Sequence, residues 1–131
     1  AMIDAGVDVR LGTDGAASNN GLDMRAEARA ASLIQKHDHW DATILDPLET
    51  WQLATRGSSD WVTWDLSDIR MRPRGRGGRR ILSNLIYSGA QCMDVFVDGR
   101  AIRRDGRTLT LDEEKLAHEL EDAAQEYYSE I

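Results

Sequence analysis

Asp14 stands in the run Leu11-Gly12-Thr13-Asp14-Gly15, where the alternating segment Val7 to Leu11 gives way to loop residues. Barrel enzymes place catalytic side chains at the C-terminal ends of their strands. A carboxylate there can bind a divalent metal and exchange a proton with the water that the metal activates. Thr-Asp-Gly is also an ordinary turn, so spacing alone leaves a structural role open. His37 and His39 flank Asp38. A His-x-His pair ligates a metal from an extended strand, where residues two apart share a face. The local pattern instead predicts a helix end, where they do not face each other. Both are expected to be solvated, and so is His118, which falls in an acidic helix. Cys92 has no neighbouring His and no CxxC partner, so an inert thiol is expected. Trp51, Trp61 and Trp64 are read as core or interface side chains.

The charges are unevenly spread. Arg70 to Arg80 holds six arginines and no acid, whereas Asp112 onward holds eight acids and Lys115. The arginine stretch could bind RNA through phosphates and bases. Pairing with the chain's own acids is the expected role. A formal net charge of −7 gives no global pull toward nucleic acid. No apolar run approaches the roughly 20 residues of a membrane span. The first residues, AMIDAGVDVR, lack the basic and apolar regions of a signal peptide. The lone cysteine fits a reducing compartment, so a cytoplasmic location is expected.

The elements that must position Asp14 follow from periodicity. Val7 to Leu11 reads as a short strand. From about Leu22 to Lys36 the pattern is helical, with Asn20 and Asp23 as cap residues. Asp46-Pro47-Leu48-Glu49 combines a cap, a proline at the first helical position and a glutamate at the third, and Gly57 is a plausible stop. Trp61 to Leu66 reads as a strand, and the arginine stretch, with Pro73 and three glycines, as a loop. Asp98-Gly99 between Met93–Val97 and Arg100–Arg103 signals a hairpin. Asp105-Gly106 makes a second turn. Thr110-Leu111-Asp112-Glu113 is a capping box opening a helix with Leu116, Leu120, Ala123 and Tyr127 along one stripe. At 131 residues the chain suits one small domain.

The whole string Leu11 to Met24, LGTDGAASNNGLDM, resembles the end of the last barrel strand in the amidohydrolase superfamily. The nearest subgroup is the 5-methylthioadenosine/S-adenosylhomocysteine deaminases, with their s-triazine hydrolase relatives. Further matching pieces follow in order: Pro47-Leu48-Glu49, Leu53 to Gly57, Ser83 to Ser88, Asp94 to Gly99, and Asp105-Gly106 through Leu111-Asp112. The resemblance covers nearly the whole chain. It implies an α/β fold: the last strand–helix unit of a (β/α)8 barrel over 1–58, then a partial small β-domain with hairpin and C-terminal helix over 59–131.

The resemblance also implies a role for Asp14 as metal ligand and proton acceptor. The metal would be zinc or another divalent ion, and the reaction hydrolytic deamination of a purine-like substrate. The family's ligating histidines and its proton-shuttling glutamate have no counterpart here. Such a chain would be inactive alone, and would associate with itself or with a complementary barrel half. Two departures stand out. Ser58-Ser59-Asp60 replaces a longer stretch that carries a strand entry, and the arginine-rich stretch replaces a more ordinary segment. Two other readings stay open. One is a degenerate, non-enzymatic interaction domain. The other is nucleic-acid binding through residues 70–80.

Overall fold

The computed structural model describes residues 2–129; Ala1, Glu130 and Ile131, at the ends of the two expected domains, lie outside the described residues. The chain forms two compact units, Ala1–Ser58 with Leu66–Ala90, and Ser59–Asp65 with Gln91–Ile131.

The first unit is helical. Helix α1 (Met24–Asp38) starts at Asp23, whose carboxylate accepts the N–H groups of Arg25 and Ala26. Asp23 is therefore the cap, satisfying two of the orphan donors of the first turn. Helix α2 (Pro47–Thr55) has the full reciprocal capping box: Asp46 accepts from Leu48 and Glu49, and Glu49 reaches back to the N–H of Asp46. A short 3-10 turn, Ile69–Met71, leads to helix α3 (Gly78–Tyr87). That helix was not expected, because its first turn lies in the glycine- and arginine-rich run. Helices α1, α2 and α3 pack on one another. Ala28, Leu53, Met71, Leu85 and Ile86 are buried between them.

Residues 66–90, assigned by sequence to the second domain, thus pack with the first. Within this segment Asn84 donates to the carbonyls of Met71 and Pro73 at 3.0 Å each. The hydroxyls of Ser32 and Tyr87, which meet at 2.7 Å, link it to α1.

The connection between α1 and α2 turns on the carbonyl of Leu45. Ser32, Lys36 and Thr50 all donate to it, at 3.1, 2.7 and 2.9 Å. Lys36 also donates to Ile44 O.

Within the N-terminal segment the expected strand is missing. Residues 7–11 have no regular secondary structure, and the N–H of Leu11 bonds to Leu53 O at 2.9 Å. A strand is defined by a ladder with a neighbour, and the described residues offer this segment none. Among the described residues, this segment leads into α1 without a strand partner.

The second unit is a four-stranded antiparallel sheet in the order β1 (Trp61–Trp64), β2 (Cys92–Val97), β3 (Arg100–Arg104), β4 (Arg107–Thr108). The β2–β3 hairpin turns on Asp98 and Gly99, with φ of 48° and 74°. Both values are those a type I′ turn demands. Across β1 and β2, Trp61 stacks on Phe96 with ring centroids 3.8 Å apart. Asp94 accepts from Thr63 Oγ1 at 2.9 Å and from the N–H of Asp105 at 3.0 Å. These bonds, led by that from Asp105, hold its carboxyl below the usual carboxylate range.

Helix α4 (Glu113–Ser129) follows the sheet, with Asp112 accepting from the N–H of Lys115 at 3.1 Å. The cap is Asp112 and not Thr110, so the sequence box is displaced. No side chain of α4 is buried.

The α2 cap yields a testable expectation. The N–H of Glu49, then that of Leu48, together with the Arg79 guanidinium, hold the Asp46 carboxyl below its ordinary range. A depressed carboxyl stabilises the fold above the unfolded value of about 3.9 and stops doing so as pH falls through the folded value. Asp46→Ala is expected to weaken α2 by about 1 kcal/mol at neutral pH. Amide exchange across α2 should then rise about fivefold. The difference should shrink below about pH 4, after correction for intrinsic exchange. Unchanged exchange at neutral pH would remove the cap from the account of α2.

Candidate active site

The segment leading to Asp14 is tied to the end of α2. Asp8 accepts from Arg10 at 2.8 Å and from Arg56 at 2.9 Å. Arg10, then Arg56, keeps the Asp8 carboxyl below its usual range. Gly57 has φ 84°, and a Cβ there would stand 2.7 Å from Arg10 Nη1. Glycine at that position lets the arginine lie against the chain.

Asp14 itself has φ 58°. Aspartate is among the few non-glycine residues that tolerate this left-handed region. The turn leaves the side chain exposed. Its Oδ1 accepts the N–H of Gly15 at 2.7 Å, and Thr13 Oγ1 donates to its carbonyl at 3.1 Å. The N–H groups of Ser18 and Asn19 close the loop onto Gly15 O, both at 3.0 Å. Asn19 then fastens the loop to α1. Its Nδ2 donates to Thr13 O at 3.2 Å and to Glu27 Oε1 at 2.7 Å. Residue types alone carried no sign of this link, because an amide in a loop does not announce its partners.

The remaining candidates lie where their residue types suggest. His39 closes α1, with Nδ1 3.1 Å from Gln35 O and 3.5 Å from Asp38. The His37 ring stands 5.8 Å from that of Trp40. His118 is exposed on α4. Burial pushes the Cys92 thiol up, against a smaller opposing pull from Arg103. That keeps it protonated and non-nucleophilic near neutrality. In the arginine stretch, Arg70 pairs with Asp68 at 2.6 Å and Arg79 pairs with Asp46.

A catalytic zinc takes about three protein ligands. Asp14 offers one carboxylate, and no group of three His, Cys, Asp or Glu side chains that could hold a metal occurs among the described residues. Among the described residues, no helix is long and apolar enough to cross a membrane.

Comparison with known proteins gives the class. The chain is a relative of the amidohydrolase-superfamily deaminases, as its motifs imply. In particular, it is 38% identical over 136 residues to the 5-methylthioadenosine/S-adenosylhomocysteine deaminase of Bacillus cytotoxicus, covering 91% of this chain and 31% of that protein. The protein of the same name from Bacillus thuringiensis is also 38% identical, over 139 residues. Among solved structures, an adenosine deaminase from Xanthomonas campestris, with bound zinc, matches with a TM-score of 0.83 and 29% identity. That match covers 98% of this chain and 33% of the other. The chain spans about a third of the length of the curated relatives it matches. No protein-family model matches it.

Proposed function

We propose that this chain is the C-terminal portion, or a reduced relative, of a metal-dependent hydrolase that deaminates an adenosine-type or related N-heterocyclic substrate, and that it is inactive by itself. The observation that carries this reading is the 38% identity along 91% of the chain to deaminases three times its length. Residues 1–58, with 66–90 packed against them, would be the end of a TIM-type barrel, and 59–65 with 91–131 part of the small β-domain.

In the complete protein a divalent metal, zinc by analogy with the zinc-bound structural relative, supplies Lewis-acid activation of water. Asp14 would contribute one ligand and accept a proton. Its exposure, and the single N–H bond to Oδ1, leave Oδ2 available for that role. The site would lie in the cytoplasm, in keeping with the single cysteine of the sequence. The partners would be a complementary barrel half or a second copy.

The test is ammonia release from adenosine, S-adenosylhomocysteine and methylthioadenosine with added zinc. The chain alone should release none. Joined to the barrel portion of a close relative, it should turn over. Turnover by the chain alone that is lost in Asp14→Asn would overturn its assigned dependence on other residues. A joined protein that takes up zinc, folds, and has no activity would favour the second reading, a non-enzymatic interaction domain.

A further inference from the structure

We propose that Asn19 is a positioning residue that holds Asp14 in its reactive orientation, with Glu27 as its anchor on α1. The proposal rests on the reading of Asp14 as the reacting carboxylate. Asp14 lies in a loop, and among the described residues the segment 7–15 has no regular secondary structure. Side-chain bonds tie this loop to α1. Asn19 places one amide hydrogen on Thr13 O and the other on Glu27 Oε1. Its Oδ1 faces the N–H of Gly21 at 3.4 Å, on the far side of the loop.

Both acceptors of the Nδ2 group lack a donor hydrogen of their own, so the orientation of the amide is dictated. The bond to Glu27 is 2.7 Å long, at the short end of the N–H···O range. Glu27 is in turn rigid by position, in the first turn of α1, beside the Asp23 cap. The path from helix to carboxylate is therefore α1, Glu27, Asn19, Thr13, Asp14. Loops that carry reacting groups need such fixing, since a misplacement of about 1 Å can cost on the order of 10²-fold in rate.

The experiment uses the whole chain in two settings. By hydrogen exchange on the chain itself, Asn19→Ala should speed exchange over residues 12–21 several-fold and leave α1 and α2 unchanged. In the joined protein, Asn19→Ala should lower kcat about tenfold or more while KM stays within about twofold. Glu27→Gln keeps an acceptor oxygen and should retain both loop protection and kcat. Glu27→Ala should behave like Asn19→Ala. Equal loop exchange in parent and Asn19→Ala, whether slow or fast, overturns the proposal. So does an unchanged kcat in a protein that needs Asp14. An activity indifferent to Asp14→Asn refutes the reading of the site instead, so the two failures are distinct.

Discussion

In the joined protein, Asp14→Asn is expected to lower turnover by about 10²–10⁴-fold through loss of the proton acceptor alone, and further through loss of a metal ligand. The substitution separates chemistry from folding. An asparagine oxygen can still accept the N–H of Gly15, which meets Asp14 Oδ1 at 2.7 Å. Asparagine also tolerates the positive φ of this turn. What disappears is the negative charge and the capacity to take a proton. Asp23, Asp38 and Asp60 are the controls. Asp23 caps α1, Asp38 ends it, and Asp60 accepts the N–H of Asp98 at 3.1 Å. Their asparagine variants keep an acceptor oxygen and should stay within a few-fold of the parent. The comparison is made on initial rates of ammonia release. A rate for Asp14→Asn within that same range would mean that the resemblance is to a fold and not to a site.

The second large effect concerns the chain without its complement. At micromolar concentration it should behave as a species of at least twice its own mass. The reason lies in what each unit leaves uncovered. In the first, Val7, Leu22, Leu33 and Ile34 are between 46% and 64% exposed. In the second, no described residue is fully buried. A sheet and helix of that size seldom supply a sufficient core unaided, and contiguous exposed apolar surface favours association. Helix α4 adds Leu116, Leu120 and Tyr127, each at least 40% exposed. Light scattering across a concentration series reads the mass directly. A monomer at every concentration, with a sharp cooperative melt, would show that the chain has built a core of its own.

Local chemistry made some elements legible. Asp46-Pro47-Leu48-Glu49 announced α2, because a cap and its reciprocal glutamate act within four residues. Asp98-Gly99 and Asp105-Gly106 announced their turns, and both pairs take positive φ. Elements that depend on distant partners were less legible. Val7 to Leu11 alternates like a strand, but alternation describes a face and does not supply a neighbour to bond. Helix α3 was hidden because glycine, the worst helix former after proline, opens it. Its hydrophobic residues, Leu85 and Ile86, find α1 and α2 only in three dimensions. At the site, the string around Asp14 pointed to the carboxylate. The Asn19 to Glu27 bond spans eight residues and a change of structure, so neither periodicity nor motif could indicate it.

The division of the chain into Ala1–Ser58 with Leu66–Ala90, and Ser59–Asp65 with Gln91–Ile131, is interleaved. The backbone passes from one unit to the other three times, so no single cut separates them intact. Cutting after Ser58 strips α3 from the helices that bury it. Cutting after Ala90 preserves the helical unit but leaves Trp61–Trp64 attached to it without β2, its pairing partner. That stranded segment would expose unbonded N–H and C=O groups flanked by two tryptophans, a ready template for unwanted pairing. The natural seam for shortening this molecule is therefore a pair of breaks with a relinked chain, joining residue 58 to residue 66 as β1 is excised. Any insertion or fusion at Ser58 must likewise carry two connections, since the chain leaves the helical unit there and returns to it at Leu66.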